Sequence, residues 1–134
     1  GPLMDPESPF NPVPGTVSAV LRGERPRPLP ASGGDFGYAP DSGRAIALLM
    51  TAPVLAHLAY NVSSGVPFTA AQLIDALDAA LPGSGIALTP DADPAGEGPY
   101  LDIARLRAET GFAPAFDVAG AVAHYVDWRR ENPR

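Results

Sequence analysis

Two residue types are missing altogether from this 134-residue chain: it has no cysteine, and its nine basic residues are all arginine, so it has no lysine either. Without cysteine there can be no disulfide, no thiolate metal site and no cysteine nucleophile. Without lysine, a Schiff base or a lysine-assisted proton relay cannot arise within this chain alone. Positive charge is also scarce: fifteen Asp and Glu outweigh it, giving a net charge of -6. That balance disfavours a nucleic-acid partner, which requires a basic stripe. No apolar run approaches the ~18 residues of a membrane span, and no stretch reads as a signal peptide. The expectation is a cytoplasmic protein with neither membrane nor nucleic acid among its partners.

What is present is apolar side chain (46%) punctuated by 17 prolines and 14 glycines. That is enough for one globular domain with a core of its own. Residues 1–15, "GPLMDPESPFNPVPG", carry five prolines and read as an extended N-terminal loop. "TVSAVLRG" predicts two helical turns stopping at Gly23. "ERPRPLPASGGDFGY" is too proline-rich for a central strand and predicts two short edge strands around Ser32-Gly33-Gly34. A helix follows from Asp41 to Thr51, with Asp41 as its cap and Ile46, Leu49 and Met50 on one face.

The best-specified helix starts after Thr69, where Gln72 three residues on completes a capping box and Phe68 with Leu73 has hydrophobic-staple spacing. Leu73, Ile74, Leu77 and Leu81 form its buried stripe, and Pro82-Gly83 ends it. "GIALTP" predicts a short strand, and "DADPAGEGP" an acidic loop. Asp102 caps a short helix that Gly111 stops. Asp117 caps the last helix, with Val118, Ala121, Val122, Tyr125 and Val126 on one face. Helices alternating with short strands give an α/β class. The odd segment is "LAYNVSSG", residues 58–65, an apolar strand of the kind that joins a covered parallel sheet. The chain lacks the other strands from which to build that sheet.

"DFGYAPDSGRAIALLM", "YNVSSGVPFTAAQLIDAL" and "LDIARLRAETGFAPAFDVAGAVAHYVDW", in this order, resemble successive pieces of the extended short-chain dehydrogenase/reductase family, the NAD(P)-dependent epimerases and dehydratases. The resemblance implies the small C-terminal substrate-binding lobe of such a protein, helices with a few short strands and the Rossmann sheet largely absent, over residues 16–134. It also implies NAD or NADP for the complete family architecture. No cofactor-binding or catalytic residue is assigned within this chain, because the family's GxxGxxG turn and Tyr-x-x-x-Lys pair are not in it. Residues 58–65 would be the last strand of the missing sheet.

Two departures bear on substrate. Where the family places a phosphate-binding Arg before Asp-Phe, this chain has Gly34. Where a second Arg precedes Gly-Asp, it has Asp93-Pro94-Ala95 before Gly96-Glu97. Bidentate arginine contacts to phosphate are hard to replace. A neutral or cationic small molecule is therefore expected rather than a nucleotide sugar, unless Arg25 or Arg27 takes over.

By the resemblance, Asp35 and Tyr38 line the substrate cleft, with Phe10, Asn11 and Glu97 as further contacts. His57 and His124 have no carboxylate at metal-ligand spacing and read as structural. Ser63-Ser64-Gly65 lacks the preceding glycine of a nucleophile elbow and reads as a turn. Asp91, Asp93 and Glu97 read as a solvated loop rather than a cation site, and Trp128 as a packing anchor. Two functions follow as expectations. One is the substrate-binding portion of an epimerase/dehydratase-like oxidoreductase, inactive without its cofactor domain. The other is a non-catalytic binding or assembly module derived from it. In either case the partner is a Rossmann domain or a second copy of the chain.

Overall fold

The computed structural model describes residues 1–8, 11–30 and 32–133. Helix α1 (Val13–Leu21) begins three residues before the expected start at Thr16. Pro14 sits in its first turn, where a missing N–H costs nothing, and Asn11 Oδ1 accepts from Val13 N at 3.1 Å. The N-terminal loop thus yields to helix at residue 13. Gly23, at φ +76°, turns the chain out of α1 as predicted.

Helix α2 (Ala39–Thr51) starts two residues before Asp41, with Tyr38 preceding it in extended conformation. Asp41 is therefore not its cap. It is buried in the first turn, and its carboxylate accepts from Ala115 N at 2.9 Å and Phe116 N at 3.1 Å, 74 and 75 residues away. Helix α3 (Ala70–Ala80) has the expected capping box: Thr69 Oγ1 accepts from Gln72 N, and Gln72 Oε1 accepts from Thr69 N. Leu73, Leu77 and Leu81 of the predicted stripe are buried, and Ile74 packs against them.

Helix α4 (Ala104–Thr110) follows Ile103, and Asp102 Oδ1 still accepts from Ala104 N at 2.8 Å. It ends at Gly111, whose φ of +69° an L side chain adopts only with strain. Helix α5 (Val118–Glu131) is capped by Asp117, which accepts from Gly120 N at 2.7 Å.

Strands β1 (Gly34–Asp35) and β2 (Pro67–Phe68) pair antiparallel, Gly34 opposite Phe68 and Asp35 opposite Pro67. Gly33 lies so close to the 93–98 loop that a Cβ there would sit 1.9 Å from Gly96 O. The strand expected at "GIALTP" reduces to one parallel bridge, Leu29 to Leu88.

The strand expected at 58–65 does not form. A strand exists only through a partner, and the main-chain N–H groups of Leu58 through Ser63 meet no acceptor among the described residues. Beyond them, Ser64 N reaches Phe36 O at 2.9 Å and Gly65 N reaches Ser63 Oγ at 3.4 Å.

The main core lies where α3 faces α5, with Val17 of α1, Leu29, Tyr38 and Ile86 closing it. A second, smaller cluster joins Ala45 of α2 to Ile103, Leu106 and Phe112, with Tyr60 and Val62 packed on it. The predicted apolar face of α2 is not buried: Leu49 is half-covered, but Ile46 is 53% and Met50 81% exposed. Val54 (78%) and Leu58 (107%) continue that bare surface. A helix with apolar residues on both sides has a second face, which no described residue covers here.

Candidate functional site

A cavity of about 320 Å³ opens between the segment leading into α1, the 32–38 stretch and the inner face of α5. β1 carries Asp35 into it, and the chain runs on through Phe36 to Tyr38 at the head of α2. Phe68 from β2 and Tyr125 from α5 complete an aromatic wall, and Asn11 also lines the cavity. Phe36 stacks on Tyr38 with ring centroids 6.3 Å apart, and Phe36 meets Phe68 edge-on at 6.0 Å.

The Tyr38 hydroxyl lies 2.6 Å from His124 Nδ1 on α5. Burial, and secondarily Tyr125 and Asp41, push the Tyr38 phenol up to about 12. The phenol oxygen both donates and accepts, so the imidazole tautomer sets which of the two gives the proton in this contact. Asp35 accepts from Ser63 Oγ. Its carboxylate is the one charged side chain on the described lining, and no arginine reaches it. Aromatic walls with a single carboxylate suit a neutral or cationic polar molecule.

Of the sequence candidates, Asn11, Asp35 and Tyr38 come together on this cavity. Phe10 lies outside the described residues. Glu97 is not on the lining: it is exposed and bridges Thr69 at the head of α3. Arg25 and Arg27 are exposed and away from the lining. Asp93 accepts from Ala95 N and Gly96 N of its own turn. No group of three potential metal ligands occurs among the described residues. Ser64 Oγ donates to Val66 O within a simple turn, and Trp128 stacks on Tyr125 at 6.2 Å.

Sequence reasoning missed the aromatic wall, for which "DFGY" was the available signal. It also missed a cluster on α4: Glu109 accepts from the Tyr60 hydroxyl and from Ala56 N, and lies 2.5 Å from His57 Nδ1. Those partners are 49 to 53 residues apart in sequence, so no local pattern marks them. A larger open groove of about 760 Å³ runs between α3 and residues 114–120, where Gln72 and Asp117 are already engaged as helix caps.

A dinucleotide does not fit the described residues. Its pyrophosphate needs a glycine-rich turn between a parallel strand and a helix N-terminus, whereas the sheet here is a two-residue antiparallel pair.

No protein-family model matches the chain, and no curated protein matches it in sequence. Solved structures match it in fold. The UDP-glucose 4-epimerase of Thermotoga maritima, solved with UDP-glucose, is similar with a TM-score of 0.74 at 23% identity, over 100% of this chain and 44% of its own. The dTDP-glucose 4,6-dehydratase of Bacillus anthracis, in complex with NAD, gives 0.74 at 18% identity, over 98% of this chain and 42% of its own. The UDP-glucuronic acid 4-epimerase of Bacillus cereus, also with NAD, gives 0.69 at 13% identity, over 96% and 41%. The chain spans about two fifths of the length of these structures. Its fold is that of a part of epimerase and dehydratase chains, with five helices and a two-stranded sheet and no Rossmann sheet among the described residues.

Proposed function

We propose that this chain is the substrate-binding portion of an NAD(P)-dependent epimerase/dehydratase-like oxidoreductase, completed by a cofactor-binding α/β domain that lies outside these residues. The observation that carries this reading is the main chain from Leu58 to Ser63, which forms no strand although Tyr60 and Val62 pack on the smaller core cluster. Its N–H groups meet no acceptor among the described residues, and exposed Ile46, Met50, Val54 and Leu58 lie on α2 and in the segment that follows it. An apolar surface of this kind beside an open strand edge is what a neighbouring sheet covers. Likeness in fold to about two fifths of longer NAD-bound chains supports the same reading. The nicotinamide cofactor, when bound to the completed protein, supplies hydride transfer. This chain's part is to bind and orient the substrate.

Asn11, Asp35 and Tyr38 are its binding groups, with Phe10 as the sequence neighbour of Asn11; Glu97, which lies off the lining, is not among them. The substrate is a neutral or cationic polar molecule, since no arginine on the described lining replaces the missing phosphate clamp. No helix among the described residues is long and apolar enough to cross a membrane, and a cytoplasmic setting accords with the reading.

Calorimetry with NAD(H) and NADP(H) and ligand-observed NMR with UDP- and dTDP-sugars test the proposal on the chain alone. Negligible binding of both classes is expected. A low-micromolar dissociation constant for either cofactor would overturn the division of labour. Tight, phosphate-dependent sugar-nucleotide binding would overturn the substrate class.

A further inference from the structure

The 56–61 segment is not loose, although it has no strand partner among the described residues. Helix α4 grips it along its length. Glu109 Oε2 accepts from Ala56 N at 2.9 Å and from the Tyr60 hydroxyl, and Glu109 Oε1 meets His57 Nδ1 at 2.5 Å. One turn earlier Arg105 Nη1 donates to Ala59 O at 3.1 Å, and Asn61 Nδ2 donates to Asp102 O at 2.9 Å. His57 N in turn donates to the Tyr60 hydroxyl at 3.1 Å. These contacts engage side chains, one carbonyl and two N–H groups, and leave the N–H groups from Leu58 to Ser63 without acceptors among the described residues.

We propose that Glu109 is the positioning residue of this edge: by holding Ala56, His57 and Tyr60 on α4 it keeps residues 58–63 extended and ready to pair with the sheet of the cofactor-binding domain. The proposal rests on the reading that this edge takes up a strand. The charged carboxylate is the working form, because its bonds from Ala56 N and the Tyr60 hydroxyl are charge-assisted and protonation weakens both. The Tyr60 hydroxyl first, then Ala56 N–H and His57, hold Glu109 below the usual carboxylate range. The titratable groups in contact with it are His57 and Tyr60, and Arg105 acts on Tyr60. The clasp is therefore closed at neutral pH and opens only in acid, below the ordinary glutamate value.

Self-pairing of the edge gives the probe when the partner domain is absent. Light scattering over a concentration series compares the intact chain with Glu109→Gln, an isosteric change, and with Tyr60→Phe. Circular dichroism checks that the helices persist, and amide exchange at Ala56 reports the clasp. The expected result is association of the intact chain, weakened roughly tenfold in Glu109→Gln and less in Tyr60→Phe, with faster exchange at Ala56. Acid should weaken association of the intact chain along the Glu109 titration and leave that of Glu109→Gln unchanged. Equal association of all three proteins, with no acid dependence, would overturn the role of Glu109 and leave the open edge standing. A chain that stays monomeric at every concentration would overturn the edge itself, and the clasp with it.

Discussion

Asp41 joins the head of α2 to the 112–117 turn, and removing its carboxylate measures what that junction contributes. In Asp41→Ala the N–H groups of Ala115 and Phe116 lose acceptors at 2.9 and 3.1 Å. Hydrogen bonds to a charged group contribute about 1.5–3 kcal/mol each. Ala115 is exposed, so water replaces part of its loss, whereas Phe116 is half-buried against Tyr38 at 4.9 Å. The expected cost is about 2–4 kcal/mol. For a domain of this size that lowers Tm by roughly 6–20 °C. Asp41→Asn keeps one oxygen and turns an amide donor toward the second N–H, so it should lose about as much as one bond contributes. Urea unfolding followed by circular dichroism supplies both numbers, with an unchanged m-value as the check that only stability moved. A loss below about 0.5 kcal/mol in Asp41→Ala would refute the junction and return Asp41 to an ordinary first-turn acid.

Thr69→Ala removes half of the capping box that opens α3 and should cost about 1 kcal/mol in the same assay, with a further loss when Gln72→Ala is added, because Gln72 Oε1 still accepts from the backbone N–H of residue 69. In a spectrophotometric alkaline titration, Tyr38 should ionise near 12 rather than 10. Because the folded value is raised, the stability held below the unfolded value of 10 is lost as pH rises through about 12. Tyr38→Phe should remove that late phase from the absorbance curve.

The helices that local chemistry specifies were legible in the sequence, and what required distant partners was not. Thr69 with Gln72, Asp117 with Gly120, and the stop at Gly111 all act within four residues. Asp41 looked like a cap because acids favour that position, but its acceptors are used by residues more than seventy positions on. Ile46 and Met50 looked like core because apolar spacing says that a face is covered and cannot say by what. Strand propensity at 58–65 failed for the same reason: the β-branched and aromatic pattern is there, and the pairing partner is not. On the cavity, Asn11, Asp35 and Tyr38 were legible through the family resemblance. Phe68 and Tyr125 were not, since each is brought there by packing rather than by neighbours in sequence.

Amide hydrogen exchange on the dilute, monomeric chain puts the open edge to the most direct test. The amides of Leu58 through Ser63 should exchange at rates near those of an unfolded chain, while those of α3 and α5, which hold the main core, are protected. Protection of Leu58 through Ser63 in the monomer would mean that the segment has an internal partner, and the account of a lobe awaiting a sheet would be wrong.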